Sequence, residues 1–131
     1  MKKLLILTTF LSSLIMTSVA NAEWTKVAGN VNASFYLDFE RVRKHDGKIF
    51  YWELIDFLKA SEDGNLSFEV YSEAECGPFR SRYLSLTSYK GPMGTGESLL
   101  DNNQMKNWYY PSPKSTNELV LKIVCNHKRM Q

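Results

Sequence analysis

Apolar and polar residues alternate along most of the chain after residue 22. Alternation with a period of two is typical of β-strands that rest on a core with one face. Turn signals separate the alternating stretches, and Asp46-Gly47 is the strongest of them because this pair favours a tight hairpin. The pattern predicts strands at “NASFYLDF”, Ile49–Lys59, “LSFEVYSEAE” and Phe79–Lys90, with “EWTKVA” as a lead-in.

The stretch Ile49–Lys59 differs from the other predicted strands because both of its faces carry large apolar residues. One face would hold Phe50, Trp52, Leu54 and Leu58, and the other would hold Ile49, Tyr51, Glu53, Ile55 and Phe57. A strand that is covered on both sides is typical of the middle of a sheet. We therefore expect this strand to be central.

The next predicted strand, “LSFEVYSEAE”, alternates more cleanly. Its apolar positions Leu66, Phe68 and Val70 are expected to face the core, with Ser67, Glu69 and Tyr71 on the other side. Glu73 and Glu75 point to one side of the strand, and we interpret them as a solvated edge rather than as an acid/base pair.

A long connection, “GPMGTGESLLDNNQMKNWYYPSPK”, follows the last predicted strand. Gly91 and Gly96 have the spacing of a phosphate-binding loop, but such a loop needs a lysine where Glu97 stands. A carboxylate there would repel phosphate, so we expect a flexible loop and no nucleotide site.

The segment “STNELVLKIVCNH” has a helical pattern instead. Ser115 and Glu118 have the spacing of a capping box, and Leu119, Val120, Ile123 and Val124 recur at helical intervals. We predict one helix of about three turns. The expected fold class is α+β, an antiparallel meander of about five to six strands with one C-terminal helix packed on a face.

Residues 1–22 have the composition of a cleaved signal peptide, with Lys2 and Lys3, a long apolar run, and Ala20 and Ala22 at the end. The expected mature chain, residues 23–131, is a single domain without a membrane anchor, periplasmic or secreted. Two of the 16 basic residues lie in the signal, which leaves 14 basic against 14 acidic residues. This balance gives no reason to expect nucleic acid as a partner.

An exported chain with two cysteines is expected to join them, so we predict a Cys76–Cys125 disulfide that ties the helix to the sheet. Two free thiols or an intermolecular bond are the alternatives. The cysteines and the two histidines, His45 and His127, lack zinc-type spacing, and no nucleophile is paired with a base. We expect no catalytic residue, metal or cofactor.

Two stretches are candidates for an interaction surface. “NWYYP” places three large aromatic residues in succession, which cannot all point inward, so it either covers the end of the sheet or presents a contact surface. “ERVRKHDGK” is basic, whereas “SEDGNLSFEVYSEAE” is acidic. The candidate surface residues are Asn107, Trp108, Tyr109, Tyr110, Arg41, Arg43 and Lys44.

Five stretches, in this order, resemble the surface-adhesin protein E-like family of Gram-negative bacteria. They are “EWTKV”, “FYLDFERVRKHDGKIFYW” with its Asp-x-x-Arg turn, “YSEAECGPFRSRYLSLTSY”, “GPMGTGE” and “WYYPSPKSTNELVLKIVC”. The resemblance implies an antiparallel sheet with a C-terminal helix tethered by the cysteine pair. It also implies adhesion to host matrix and serum proteins, a dimer and a lipoprotein anchor. Here Glu23 stands where that anchor would need a cysteine.

The leading hypothesis is therefore an exported, non-enzymatic binding protein that adheres to host or matrix proteins. A homodimer formed through an edge or a face of the sheet is compatible with this reading. The alternative is a soluble periplasmic small-ligand-binding or envelope-associated protein. A hydrolase is a third hypothesis, which a buried carboxylate or histidine with a strongly shifted pKa in a cleft would favour.

Overall fold

A single antiparallel sheet carries the fold. The computed structural model describes residues 22–102 and 107–127, so the predicted signal peptide, apart from Ala22, lies outside the described residues. Within them the chain forms β1 Thr25–Gly29, β2 Ala33–Leu37, β3 Arg43–His45, β4 Lys48–Phe57, β5 Ser67–Glu75, β6 Arg80–Tyr89, β7 Ser98–Asp101 and α1 Thr116–Cys125.

The strands follow one another as neighbours in the order β1-β2-β4-β5-β6-β7, and β3 pairs with the first part of β4. The predicted α+β meander with one C-terminal helix is confirmed. The described residues form seven strands rather than five to six. The additional strands, β3 and β7, have three and four residues, which is too short for alternation to reveal them.

The strand β4 is central, as predicted, since it pairs with β2, β3 and β5. Ile49, Tyr51 and Ile55 belong to the core that α1 covers, so we call their side of the sheet the helix face. Phe50 and Trp52 point to the opposite side, which we call the open face because α1 does not lie on it. The strand ends at Phe57, and Leu58 is 70% exposed rather than packed with Trp52.

The helix α1 begins where the sequence predicts. The Ser115 hydroxyl accepts a hydrogen bond from the Glu118 N–H at 3.1 Å, and Glu118 accepts from the Lys114 N–H instead of completing the capping box. Val120, Leu121 and Val124 are buried, but Leu119 is 47% exposed. The expected apolar stripe was therefore wrong at Leu119. The sheet and the disulfide orient the helix in addition to its own apolar pattern. No helix of the described residues has both the length and the apolar character needed to cross a bilayer.

A disulfide joins Cys76, directly after β5, to Cys125, the last residue of α1, with the two Cα atoms 5.8 Å apart. The predicted pairing is confirmed. A helix of ten residues is marginal on its own, so its position depends on this bond and on its three buried side chains.

The loop after β6 packs on the open face rather than extending as a flexible connection. Met93 N–H donates to Asp56 Oδ1 at 2.7 Å, and Gly94 N–H donates to Ser67 Oγ at 2.9 Å. Gly94 has a φ of 69°, and an added Cβ would lie 3.6 Å from Leu54 Cδ1. These bonds place the first part of the predicted loop over Leu54.

Burial of Ser67 follows from the same loop. The sequence places Ser67 away from the core, but the residue is fully buried. Its hydroxyl donates to the Gly91 carbonyl at 2.7 Å while accepting from Gly94, so both of its hydrogen-bonding roles are fulfilled. The loop gives this end of the open face a cover that strand alternation cannot predict.

We expect Cys125→Ser to lower the free energy of unfolding by about 4 kcal/mol, because the bond closes a loop with a sequence separation of 49 residues. Thermal denaturation of the non-reduced mature protein measures the loss. The double variant Cys76→Ser/Cys125→Ser is the control, and it should unfold at the same temperature as Cys125→Ser. A melting temperature equal to that of the unmodified protein would contradict a stabilising tether.

Candidate interaction surface on the open face

Asp38 organises one end of the open face. It directly follows β2 and is almost fully buried. Its Oδ1 accepts from the Glu40 N–H at 3.1 Å, and its Oδ2 accepts from Arg41 Nε at 2.7 Å. This pair is the Asp-x-x-Arg turn of the sequence. It holds the Arg41 guanidinium 4.7 Å from the ring centre of Trp52 and 5.5 Å from that of Trp24. A cation over an aromatic ring is stabilised by the ring quadrupole.

Aromatic rings continue across the open face from Trp52. Tyr71 lies opposite Trp52 in the β4–β5 register, and the two rings stack with their centres 4.8 Å apart. The Phe50 ring is 6.3 Å from that of Tyr71. Because directly opposed residues of neighbouring strands share a face, these three rings form one continuous patch.

Glu69 lies next to this aromatic patch, on the side that faces β6. Arg41 Nη2 lies 3.7 Å from Glu69 Oε1, and the Tyr89 hydroxyl donates to Glu69 Oε2 at 3.3 Å. Burial, together with the Glu69 charge, raises the pKa of Tyr89. Arg41 is thus shared between two carboxylates, Asp38 and Glu69, and its position is fixed from both sides.

The other end of the open face contains two carboxylate–guanidinium pairs. Arg82 donates to Glu73, and Arg80 Nη2 donates to Glu75 Oε2 at 2.8 Å. Lys48 Nζ also lies 4.0 Å from Glu73 Oε2. The interpretation of these carboxylates as a solvated edge was wrong, because β5 lies between β4 and β6 and Glu73 is buried.

Trp108 lies over this ionic cluster. Its ring centre is 4.1 Å from the Arg80 guanidinium carbon and 4.5 Å from that of Arg82, and Lys48 Nζ is 5.8 Å away. The Tyr110 hydroxyl accepts from Arg80 Nη1 at 3.2 Å. One indole ring therefore covers cations from two strands.

Backbone pairing orients the aromatic residues of “NWYYP”. Tyr109 N–H donates to the Ser81 carbonyl at 2.7 Å, and Ser81 N–H donates back to the Tyr109 carbonyl at 3.0 Å. In such an extended segment neighbouring side chains point to opposite faces. Trp108 and Tyr110 therefore lie on the open face, and Tyr109 turns toward α1, where its hydroxyl accepts from Asn117 Nδ2 at 3.4 Å.

Together these groups form a band across the open face, which we call the aromatic–arginine band. It consists of Trp24, Arg41, Trp52, Tyr71, Phe50, Trp108, Arg82 and Arg80. Each guanidinium of the band is paired with a carboxylate, so the band combines ring faces with largely neutralised charge. Such a surface can offer stacking, apolar contact and hydrogen bonding at once.

The residues that the sequence singled out as an interaction surface do not all meet. Arg41, Trp108 and Tyr110 belong to the open face. Arg43 is opposite Phe50 in the β3–β4 register, which places it on that face as well, and its guanidinium donates to the Glu40 and Val42 carbonyls. The remaining three lie elsewhere: Lys44 opposite Ile49, and Asn107 and Tyr109 beside a cavity on the helix face.

Sequence reasoning missed Arg80, Arg82 and their partners as members of this surface. A signal was present: Glu73-x-Glu75 and Arg80-x-Arg82 flank the short turn around Gly77-Pro78. In a hairpin the register then opposes Glu75 to Arg80 and Glu73 to Arg82, as is observed. No comparable signal in the sequence indicated that Trp24 and Trp52 belong to this surface, because their contacts with Arg41 depend on the turn at Asp38.

Among the residues that the structure describes, the helix face has one buried carboxyl group. Glu53 is 4% exposed and lies between Leu37 and Val70 in the register of three strands. Burial raises its pKa to about 7. The same carboxyl raises the pKa values of Tyr51 and Tyr83, whose own burial is the larger cause. This buried carboxyl has the property that the hydrolase hypothesis required, but it does not line the cavity beside Tyr83 and Tyr109.

That cavity has a volume of about 260 Å³ and is lined by Ser81, Arg82, Tyr83, Asn107, Tyr109 and Asn117. Amide, hydroxyl and aromatic groups line it, so it could hydrogen-bond a small polar molecule. Its volume is below the roughly 300–1,000 Å³ that is usual for a ligand site.

We expect stability to decrease as the pH rises from about 4.5 to about 7, because the folded protein holds a proton on Glu53 that the unfolded chain has already lost. Below this window both states are protonated, and above it the full destabilisation, on the order of 3 kcal/mol, is reached. Glu53→Gln should remove this contribution. Urea denaturation of both proteins at pH 4.5 and pH 8 tests it, and a variant advantage that is equal at both pH values would contradict it.

Comparisons with known proteins agree with this architecture. The profile of the surface-adhesin protein E family matches residues 24–126. No curated protein matches the chain significantly. A second crystal form of Haemophilus influenzae protein E superposes with a TM-score of 0.61 at 16% identity, over 80% of this chain and 88% of that one.

Two further structures give the same result. Another Haemophilus influenzae protein E structure has a TM-score of 0.59 at 16% identity, over 85% of this chain and 90% of the other. Protein E from non-typeable Haemophilus influenzae has a TM-score of 0.58 at 15% identity, over 86% and 82%. At these identities the superpositions show a shared fold. With the family match across most of its length, this chain belongs to the surface-adhesin protein E family.

Proposed function

We propose that this protein is an exported, non-enzymatic adhesin that binds host matrix or serum proteins through the aromatic–arginine band. The observation that carries the proposal is the concentration of Trp, Tyr and Arg side chains on one face of the sheet. These three residue types dominate the energetic hot spots of protein–protein interfaces. The family membership and the predicted signal peptide support the same role.

Preorganisation of the band favours binding. Arg41 is held by Asp38, Arg80 by Glu75 and Arg82 by Glu73, while Trp108 covers two of these guanidinium groups. A partner therefore meets side chains that have already lost much of their conformational freedom. Association then costs less side-chain entropy, which is a large part of what binding must offset.

The balance of charge in the band suggests the kind of contact that it makes. Arg41, Arg80 and Arg82 of the band, together with the adjacent Lys48, are matched by Asp38, Glu69, Glu73 and Glu75. A neutral surface of this kind gains little from long-range attraction, so its affinity should depend on ring contacts and short hydrogen bonds. Such contacts suit another protein surface better than a polyanion.

A second candidate function, the binding of a small polar ligand, is favoured by the cavity beside Tyr83 and Tyr109. The small volume of this cavity and the solvent-exposed position of Tyr109 make it the weaker candidate. Saturable binding that Tyr109→Ala abolishes and Trp108→Ala leaves unchanged would favour this function over adhesion.

We expect Trp108→Ala to weaken binding to immobilised matrix or serum proteins at least about tenfold, because a buried hot-spot tryptophan contributes more than about 1.4 kcal/mol. Surface plasmon resonance of residues 23–131 against a panel of such proteins measures the change. Leu119→Ala on the outer side of α1 and Lys44→Ala on β3 are the controls, since both residues are exposed and off the band.

The proposal has two ways to fail. Equal binding by Trp108→Ala and the unmodified protein would exclude the band as the contact surface. Absence of the protein from the surface of intact cells, measured by protease shaving with a periplasmic marker as reference, would exclude adhesion, because a periplasmic protein cannot reach host partners. The melting temperature of each variant shows whether a loss of binding comes from loss of the fold.

A further inference from the structure

The last strand of the sheet, β7, has no partner strand on its outer side within the residues that the structure describes. Lys90 N–H donates to the Glu97 carbonyl, which makes this pair a hydrogen-bonded one. In an antiparallel ladder bonded and non-bonded pairs alternate, so Ser88–Leu99 is bonded and Thr87–Leu100 is not. The backbone groups of Ser98 and Leu100 therefore point away from β6, toward the outer edge.

The side chains of this edge strand are unusually apolar for their exposure. Leu99 is 72% exposed and Leu100 is 58% exposed. Leu99 is opposite Ser88 and so lies on the helix face, whereas Leu100 is on the open face. Soluble proteins commonly protect sheet edges with charged residues or proline, and the two leucines of β7 are neither.

A cleft runs beside β7 on the helix face, in the part of the sheet that α1 does not cover. We call it the edge groove. It has a volume of about 420 Å³, and Phe68, Leu86 and Leu99 supply its apolar groups. Phe68 packs edge-on against Phe57 with ring centres 5.2 Å apart, which fixes the floor of the groove.

The polar lining of the edge groove is predominantly acidic. Among the described lining residues, Asp63 and Glu97 contribute carboxylates, against one ammonium group from Lys90. Lys90 Nζ also donates to the Asp63 carbonyl at 2.6 Å, which holds it at one end of the groove. An occupant with basic residues would complement this lining.

We propose that β7 and the edge groove bind an extended, basic segment of a partner protein, which adds to the sheet as a further strand. Its backbone bonds to Ser98 and Leu100, its apolar side chains enter the groove, and its lysine or arginine residues face the carboxylates. A second copy of this chain fits less well, because pairing β7 with itself would bring two acidic grooves together. This edge is a different surface from the aromatic–arginine band.

A short peptide of the pattern Val-Ser-Lys-Ser-Val-Ser-Lys is a suitable probe, because residues two positions apart in a strand share a face, so valine and lysine can both meet the groove. Fluorescence anisotropy with the mature protein should show saturable binding, and hydrogen exchange by NMR should show protection of the Ser98 and Leu100 amides. The same peptide with N-methylated backbone amides, and one in which glutamate replaces each lysine, should each bind at least about tenfold more weakly. These controls change the probe, so they do not depend on the folding of a variant.

Two protein variants test the location. Leu100→Pro should abolish binding, because it removes an outward N–H without removing a bond to β6. Leu99→Lys should weaken binding by adding a positive charge to the groove, and Leu58→Lys, at a leucine of similar exposure away from β7, should not. Trp108→Ala should leave peptide binding unchanged, so this inference and the proposed adhesion can fail separately.

Equal affinity for the lysine and glutamate peptides would overturn the assignment of a basic partner. Undiminished binding of the N-methylated peptide would overturn strand addition. If analytical ultracentrifugation shows a dimer that Leu100→Pro converts to a monomer, and the peptide does not compete with it, the occupant of the edge is a second copy and the proposal is wrong.

Discussion

In the part of the chain that the structure describes, a single helix of ten residues must cover a sheet of seven strands, and this shortage of apolar cover determines much of the structure. Val120, Leu121 and Val124 bury the part of the helix face nearest β1 and β4. Each buried side chain stabilises this packing by about 1.5–3 kcal/mol. A helix of this length is marginal in water, so the packing needs a further constraint to keep the helix in place. The disulfide from Cys125 to Cys76 supplies that constraint at the end of β5.

The open face has no helix and is covered by its own side chains. Rings stack on rings and on guanidinium groups, and the carboxylates of β5 are paired with arginine or lysine. A loop covers Leu54 at one end, and Trp108 covers the ionic cluster at the other. This arrangement protects the sheet from solvent and at the same time leaves Trp, Tyr and Arg side chains at the surface. The same shortage of cover that the fold must accommodate therefore creates the candidate binding surface.

The two faces also treat charge differently. On the open face the buried carboxylates Asp38 and Glu73 each have a cationic partner. On the helix face, Glu53 lies among Leu37 and Val70, and its burial favours the protonated form. A neutral carboxyl is tolerated in a core far more easily than an ionised one. Ionic pairing is thus a property of the open face, whereas burial on the helix face favours the protonated form of Glu53.

Several features were determined by the sequence alone. Alternation and turn residues specified the meander and its central strand, because the period of two and the Asp46-Gly47 turn act within a few residues. The cap at Ser115 specified where α1 begins, and the predicted export signal with two cysteines indicated the disulfide. What only the tertiary structure decided were contacts between distant segments: the loop over Leu54, the burial of Ser67, and the exposure of Leu119. The aromatic–arginine band is of this kind too, since Trp24, Trp52 and Trp108 come from three separate parts of the chain. Local patterns specify which face a residue occupies, whereas its neighbours on that face depend on how the whole sheet and its loops pack.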